Sequence, residues 1–184
     1  MELYLITGFL GAGKTTFLKN FARQFAGRRL RLIINEFGRA GVDGTLLREL
    51  DAALDEISNG SIFCACRLDQ FEAALEQAAA DAPDVVLVEA SGLADPTNVR
   101  RVLAQFPAVS YQGSVCVADA ARLEKVFSTA RACPRQLAVS SLVLLNKTDL
   151  ATEAQCAEAK ALILRANPAA RIRRTQFGRF EPEW

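Results

Sequence analysis

The sequence predicts an α/β protein in which a mostly parallel sheet lies between two layers of helices. Three observations indicate this class. Short apolar runs alternate with amphipathic segments along the chain, which is the order expected of β-α units in a parallel sheet. The run Val85-Val86-Leu87-Val88 is apolar throughout, as in a strand that is buried on both faces. A glycine-rich loop joins the first apolar run to the first amphipathic segment, which predicts a strand, a tight loop and a helix in succession.

The short apolar runs predict the strands. In chain order they cover residues 3–7, 30–34, 57–63, 85–88, 114–118 and 142–145, and a short last strand is expected near Ile172. Runs of this length that are rich in β-branched residues and bounded by polar residues or glycine are typical of strands.

Helices are predicted where apolar residues recur every three or four positions. The first helix carries Phe17, Leu18, Phe21 and Phe25 on one face. A short helix is expected over residues 46–50, a longer one over 68–81, and two more around 120–130 and 134–139. The last helix is predicted over residues 152–165, with Thr152 as its N-cap and a proline beyond its end.

The composition excludes several classes of protein. The chain has 184 residues with 22 Lys and Arg against 21 Asp and Glu, a net charge of +1. It therefore has no general attraction for nucleic acid or for an anionic membrane. Its longest mostly apolar stretch, residues 137–145, is far shorter than the roughly 20 residues that a membrane-spanning helix needs.

Compartment and domain number follow from the same kind of observation. The first residues, MELYLITGFLGAGK, lack the basic start and apolar core of a signal peptide, so we expect a cytoplasmic protein. One domain spanning residues 1–184 is expected for this length. An odd number of cysteines, five, argues against a disulfide framework, and the absence of histidine removes imidazole as a base or metal ligand.

The strongest motif is Gly8-Phe-Leu-Gly11-Ala-Gly13-Lys14-Thr15, which fits the phosphate-binding pattern GxxxxGK[ST]. Its glycines allow backbone N–H groups to surround phosphate oxygens, and the helix N-terminus adds its positive end. The lysine reaches the β and γ phosphates, and the threonine hydroxyl is available to Mg²⁺. The fold class thus becomes the three-layer P-loop NTPase fold. The expected phosphate-binding residues are Gly8, Gly11, Ala12, Gly13, Lys14, Thr15 and Thr16.

A second motif, Asn146-Lys147-Thr148-Asp149, follows the strand predicted at residues 142–145. It therefore lies at the carboxyl edge of the sheet, where ligands bind in such folds. Asp149 can accept hydrogen bonds from N1–H and the 2-amino group of guanine, whereas adenine offers no matching pair of donors. Asn146 is expected to brace the site, and the Lys147 stem to pack along the base. With the phosphate loop, this motif predicts a guanine nucleotide.

A third signal is Glu89, the acid that ends the buried run at residues 85–88. An acid at this position can hold Mg²⁺, directly or through water, and respond to the γ phosphate. It could instead be a cap or a surface acid.

The segments GFLGAGKTT, NEFGRAGVDG, SNGSIFCACR, EASGLADP and NKTDL occur in this order and resemble the CobW/HypB/UreG family of P-loop GTPases, most closely its CobW-like branch. The resemblance implies a GTPase domain whose relatives serve metal delivery or metal-cofactor assembly. It implies that residues 35–38 begin one nucleotide-responsive switch, which runs towards Asp43, and that EASGLADP is the second, with Glu89 as the Walker B acid. CobW-like proteins usually carry a further C-terminal domain, so the resemblance implies that residues 1–184 are the GTPase domain only.

The chain departs from the family at its metal motif. CobW-like members carry NGCxCC, but here Asn59-Gly60 is followed by Ser-Ile-Phe-Cys64, so only the last of three cysteine positions matches. Cys66 can restore a Cys-x-Cys pair, and the family places Glu36 near these cysteines. Two thiolates and a carboxylate suit Zn²⁺ or Cu⁺. The alternative is that both cysteines are small, partly buried apolar residues.

The leading hypothesis is therefore a GTP-binding and GTP-hydrolysing switch coupled to metal delivery or to metalloenzyme assembly. Lys14, Glu89 and Mg²⁺ would stabilise charge on the transferred phosphoryl, and Glu36 or Asp43 would position the water. Slow intrinsic turnover, a nucleotide-dependent homodimer and a metalloprotein client are expected. A GTP-regulated adaptor without metal, or a small-molecule kinase with the same phosphate loop, are the alternatives.

Overall fold

The computed structural model describes residues 1–35, 44–57, 61–63, 68–181 and 183, with the backbone alone at residues 44–46. Within them lies a seven-stranded sheet in which every pairing is parallel. The strands are β1 Glu2–Thr7, β2 Leu30–Ile34, β3 Ala53–Glu56, β4 Val85–Glu89, β5 Ser110–Asp119, β6 Leu142–Asn146 and β7 Arg171–Arg174. Their order across the sheet is β3-β2-β4-β1-β5-β6-β7.

Helices cover both faces of this sheet, as predicted. They are α1 Lys14–Ala22, α2 Gly44–Leu50, α3 Leu68–Asp81, α4 Val99–Leu103, α5 Leu123–Thr129, α6 Ala132–Ala138 and α7 Glu153–Ala166. Alternate strand residues point to opposite faces. Ile6 of β1 packs with the aromatic face of α1, while Leu5 packs with α3 and α4. The helices α5, α6 and α7 cover β5 and β6 on the same side as α3. The three-layer fold class is thereby confirmed.

Most predicted elements are present with small shifts in their ends. Thr152 caps α7, because its hydroxyl accepts from Gln155 N at 3.2 Å while the Gln155 side chain accepts from Thr152 N at 2.8 Å. This reciprocal arrangement satisfies two N–H groups that the first helical turn cannot. The strand β5 is longer than expected, and α4 was not predicted.

The strand predicted at residues 57–63 was wrong. The strand β3 lies before it, and the described residues Ile62 and Phe63 form a turn. Both side chains are nevertheless buried in the core beside α3. Their apolar character therefore reflects burial from a turn, whereas β3 is a half-exposed strand at the edge of the sheet and carries little apolar pattern.

Arg31 of β2 joins three elements at the β3 side of the sheet. Its side chain is 8% exposed. The guanidinium donates to both Asp55 carboxylate oxygens, with Nε–Oδ2 at 2.6 Å and Nη2–Oδ1 at 2.9 Å, and Nη1 pairs with Asp81 at the end of α3. Arg31 therefore holds β3 and the end of α3 against β2.

We expect Arg31→Ala to lower the free energy of unfolding by about 2–4 kcal/mol, because it leaves Asp55 without its partner beside the core. The half-exposed Asp81 keeps the loss towards the low end. Urea unfolding followed by circular dichroism measures it. The neighbouring Arg29 pairs with Asp84 at the surface, so Arg29→Ala should cost less than about 1 kcal/mol. Equal losses in the two variants would contradict this account of Arg31.

Candidate nucleotide site

The glycine loop between β1 and α1 has a backbone that other residues could not adopt. Gly8 and Gly13 have φ of +135° and +104°, in the region that favours glycine. A Cβ atom at Gly8 would lie 2.2 Å from the backbone oxygen of Val117, and one at Gly13 would lie 2.6 Å from Nδ2 of Asn146. The loop is therefore shaped both by conformation and by close contact with β5 and β6. It leads into the first turn of α1, whose N–H groups form an anion-binding end.

Lys14 and Thr15, which end the predicted phosphate-binding motif, are the first two residues of α1. Lys14 is its first residue and is 6% exposed. The next residue, Thr15, donates its hydroxyl to Oε1 of Glu89 at 3.0 Å. Glu89 ends β4, next to β1 in the sheet, and is 1% exposed. The structure thus brings together a hydroxyl and a carboxylate, which are oxygen ligands of the kind that Mg²⁺ prefers.

The NKTD segment is attached directly to the glycine loop. Asn146 donates from Nδ2 to the backbone oxygen of Ala12 at 2.9 Å. Lys147 donates from Nζ to the backbone oxygen of Gly11 at 2.6 Å and to Oδ2 of Asp119 at 2.9 Å. Two of the predicted base-site residues therefore fix the position of the phosphate loop. Asp149 lies two residues further on, in a short 3-10 helix at Thr148–Leu150, and is exposed.

Asp119 was not predicted from the sequence, although its position at the end of a strand is a signal. It ends β5, a strand whose last half is buried, just as Glu89 ends β4. The predicted strand stopped one residue short, at position 118, so the acid was not considered. Its role here is to orient Lys147, while its other oxygen accepts from Ala121 N at 3.1 Å.

The loop after β7 was also missed. Gly178 N donates to Oδ1 of Asn146 at 3.1 Å, and Thr148 N donates to the backbone oxygen of Thr175 at 3.3 Å. Gly178 has φ of +61°, and a Cβ atom there would lie 2.7 Å from the backbone nitrogen of Phe17. This loop therefore packs between the NKTD segment and α1. Its signal in the sequence is only a single glycine, which is too common to identify a site.

Asn35 links three chain segments at the other side of the site. It directly follows β2 and is 1% exposed. Its Oδ1 accepts from Ile62 N at 3.0 Å and from Ser91 N at 3.4 Å, while its Nδ2 donates to the backbone oxygen of Ile57 at 3.0 Å. The segment after β4 and the segment after β3 are thus tied to one buried amide.

Four predicted site residues lie outside the described part of the chain, namely Glu36, Asp43, Cys64 and Cys66. The other three cysteines, Cys116, Cys133 and Cys156, are buried in the core beside α5, α6 and α7. Burial raises the pKa of the Cys116 thiol to about 12 and that of Cys133 to about 11. Among the residues that the structure describes, no group of three or more acidic or cysteine side chains could hold a metal ion.

These burials predict how the thiols react. At pH 8 we expect at most two of the five cysteines to react rapidly with a thiol reagent in the native protein, because Cys116, Cys133 and Cys156 are buried and inaccessible, and burial also raises the pKa of the first two. All five should react after denaturation. In Cys64→Ala/Cys66→Ala protein the rapid phase should be absent. A rapid third thiol in the native chain would contradict the burial of Cys116, Cys133 or Cys156. The absorbance of the thiolate that the reagent releases gives the number of cysteines that have reacted.

No described helix is long and apolar enough to cross a membrane.

The site and the sheet together define a class of protein. A first strand that leads through a glycine loop into a helix, next to an NKxD segment at the same sheet edge, is the arrangement of a P-loop nucleotide-binding domain. The model of the CobW/HypB/UreG nucleotide-binding domain matches residues 2–174, and the chain belongs to this family.

Individual relatives agree with this assignment. The chain is 32% identical over 206 aligned residues to the zinc chaperone CobW of Pseudomonas aeruginosa, covering 92% of this chain and 55% of that protein. It is 27% identical to the zinc-regulated GTPase metalloprotein activator 1 of Schizosaccharomyces pombe, covering 96% of this chain and 46% of that one. The chain thus spans about half the length of these curated relatives.

A solved structure agrees in fold. The crystal structure of the Zn(II)-bound YjiA GTPase from Escherichia coli superposes with a TM-score of 0.73 at 23% identity, over 100% of this chain and 60% of that one. At this level of identity the likeness supports the fold.

Proposed function

We propose that this chain is a GTP-binding and GTP-hydrolysing switch domain that is coupled to the delivery of a transition metal or to the assembly of a metalloenzyme. Two supports are independent of each other. The chain belongs to the CobW/HypB/UreG family, and its relatives include proteins named zinc chaperone and zinc-regulated GTPase metalloprotein activator. The geometry of the sheet edge fits a guanine nucleotide.

One observation carries the nucleotide part of the proposal. Asn146 and Lys147 hold the backbone oxygens of Ala12 and Gly11 at 2.9 and 2.6 Å. A residue that reads the base and a loop that binds phosphates must keep a fixed separation, because a nucleotide has a fixed length between these two ends. Direct hydrogen bonds between the two motifs provide that separation, which an incidental glycine turn beside an unrelated polar loop would not need.

The proposed roles follow the order of the motifs. The residues Gly8, Gly11, Ala12, Gly13, Lys14, Thr15 and Thr16 bind the phosphates. Lys147 and Asp149 bind the base, and Asn146 braces the base site against the phosphate loop. Thr15 and Glu89, whose oxygens lie 3.0 Å apart, hold Mg²⁺, and either Glu36 or Asp43 positions the attacking water. When bound, Mg²⁺ supplies positive charge that stabilises the developing charge on the phosphoryl group.

For the transferred metal, we propose a site made by Cys64, Cys66 and Glu36, with zinc as the first metal to test. The three buried cysteines contribute apolar packing to the core, so they do not compete for metal. A closed tetrahedral zinc site needs a fourth ligand, which water, a second copy of the chain or the metalloprotein client would provide. The proposal places the protein in the cytoplasm.

Calorimetric titration of the reduced chain with Zn²⁺ tests this coupling. It is carried out without nucleotide and again with Mg²⁺ and a non-hydrolysable GTP analogue, beside a Cys64→Ala/Cys66→Ala control. We expect zinc affinity to change with nucleotide state, and GTP affinity to change by the same factor with zinc, because linkage between two sites is reciprocal. Both effects should vanish in the double variant. Zinc binding that is weak and independent of nucleotide would instead favour a GTP-regulated adaptor without metal.

Hydrolysis is expected to be slow in the isolated chain, since no arginine of the sequence can be assigned to the transferred phosphoryl group. Single-turnover assays with radiolabelled GTP, at several protein concentrations, test this expectation. A rate that rises with protein concentration supports a nucleotide-dependent homodimer. Fast hydrolysis at the lowest concentration contradicts the expectation.

A further inference from the structure

A tight turn follows β4 and packs against the phosphate loop. In this turn, Ala94 N donates to the backbone oxygen of Ser91 at 3.0 Å, with Gly92 and Leu93 at its tip. A Cβ atom at Gly92 would lie 2.7 Å from the backbone nitrogen of Leu10 and 2.6 Å from Cδ2 of the same residue. The turn therefore touches the backbone of the phosphate loop, and even a methyl group does not fit between them.

A buried glutamine on α6 holds the turn in this position. Gln136 is 1% exposed, and its Nε2 donates to the backbone oxygens of Gly92 at 3.2 Å and of Ala94 at 3.0 Å. A primary amide has two N–H donors, so both are used on this turn. The neighbouring Arg135 forms an ion pair with Asp95, just after the turn. The helix α6 thus fixes the turn through two consecutive side chains.

Burial of this amide is costly unless it is hydrogen-bonded. On the buried side of α6, its neighbours Cys133 and Leu137 contribute to the core. An apolar side chain of similar size to glutamine would fill the same space without the need for two carbonyl partners. The glutamine therefore contributes something that packing alone does not, namely a defined position for the turn.

The order of the strands indicates which part of a bound nucleotide would lie next to this turn. The base-reading segment follows β6, the phosphate loop follows β1, and β4 lies on the far side of β1 from β6. A nucleotide whose base lies at β6 and whose phosphates lie at the loop after β1 extends towards β4. The turn after β4 therefore faces the end of the phosphate chain, which is the part that differs between a nucleoside triphosphate and a diphosphate.

We infer that Gln136 is a positioning residue that holds the turn Ser91–Ala94 against the phosphate loop so that the domain binds nucleoside triphosphate in preference to diphosphate. The inference rests on the proposed function, because it assumes that the sheet edge binds a guanine nucleotide. Fixing the turn before binding lowers the ordering cost that the terminal phosphate would otherwise have to offset. The diphosphate does not reach the turn and gains nothing from this order.

The test compares affinities for GDP and for a non-hydrolysable GTP analogue, both with Mg²⁺, in three variants of the full chain. Gln136→Met keeps the length of the side chain and removes both donors. Gln136→Glu keeps a polar group but has at most one proton to donate, and it serves if the first variant does not fold. Ser140→Ala is the matched control, since Ser140 is buried just beyond α6 and donates to the backbone oxygen of Gln136 without touching the turn.

We expect both Gln136 variants to bind the GTP analogue about fivefold to twentyfold more weakly, from the loss of up to two hydrogen bonds, and GDP within twofold of the wild type. The control should keep the wild-type ratio of the two affinities. A purely structural role would weaken both nucleotides equally, and that outcome overturns the inference, as does an unchanged ratio or tighter binding of the analogue. A wild-type chain that binds neither nucleotide would overturn the proposed function itself.

Discussion

Replacing Asp149 by asparagine is expected to change the base preference of the site from guanine to xanthine. The carboxylate of Asp149 accepts from N1–H and from the 2-amino group of guanine in the proposed complex, and an amide would set a donor against the 2-amino group. Xanthine has an oxygen at that position, which the new amide N–H₂ can donate to. We expect GTP affinity to fall roughly 100-fold to 1,000-fold, since hydrogen bonds to a charged group are involved.

The affinity for xanthosine triphosphate should rise above that for GTP in the same variant. Competition against a fluorescent guanine nucleotide measures both affinities. Asp69→Asn makes the same chemical change at an exposed residue of α3, and it should leave both affinities unchanged. Equal losses for the two nucleotides in the Asp149 variant would mean that this residue supports the fold and does not select the base.

Replacing Lys14 by alanine is expected to have the largest effect on the phosphate side of the site. Lys14 begins α1, and only 6% of its surface is exposed to solvent. Its ammonium group is the one predicted to reach the β and γ phosphates. We expect GDP affinity to fall about tenfold to 100-fold, and single-turnover hydrolysis of GTP to fall a further 100-fold to 1,000-fold, roughly, because a charge that stabilises the transition state is lost.

The comparison with Lys19→Ala makes this result specific. Lys19 lies in the last turn of the same helix, and we expect its loss to change affinity and hydrolysis by no more than about twofold. Calorimetry with GDP and phosphate release under single-turnover conditions give the two quantities. If the Lys14 variant hydrolysed GTP at the wild-type rate, the phosphate site would have to lie elsewhere on the sheet edge.

Several parts of this arrangement could be predicted because they depend on local chemistry. The run Val85–Val88 is buried on both faces, and only the centre of a parallel sheet offers such a position to a strand. The capping residue Thr152 and the glycines of the phosphate loop were recognised because each satisfies a local backbone requirement. The NKTD segment could be assigned to the same sheet edge as this loop, since the carboxyl ends of parallel strands all lie there.

Other parts could not be predicted because they depend on contacts between distant segments. Gln136 and Asn35 are polar residues whose partners are backbone groups of loops far away in the chain. Nothing in the local sequence distinguishes Gln136 from a surface amide, and the NEFG segment that Asn35 opens does not indicate which backbone groups its amide contacts. The position of β3 was missed for a related reason, since an edge strand that is half exposed needs no apolar alternation, while Ile62 is buried from a turn.

The hydrogen bond between Asn146 and Ala12 spans 134 residues, and this has a consequence for synthesis on the ribosome. The phosphate loop leaves the ribosome early, but the groups that fix its shape, Val117 against Gly8 and Asn146 against Ala12, emerge much later, and Gly178 later still. Contacts with such long separations form slowly and late in folding. A growing chain is therefore expected to bind nucleotide only after residue 178 has left the ribosome, and shorter nascent chains are expected to leave GTP unbound.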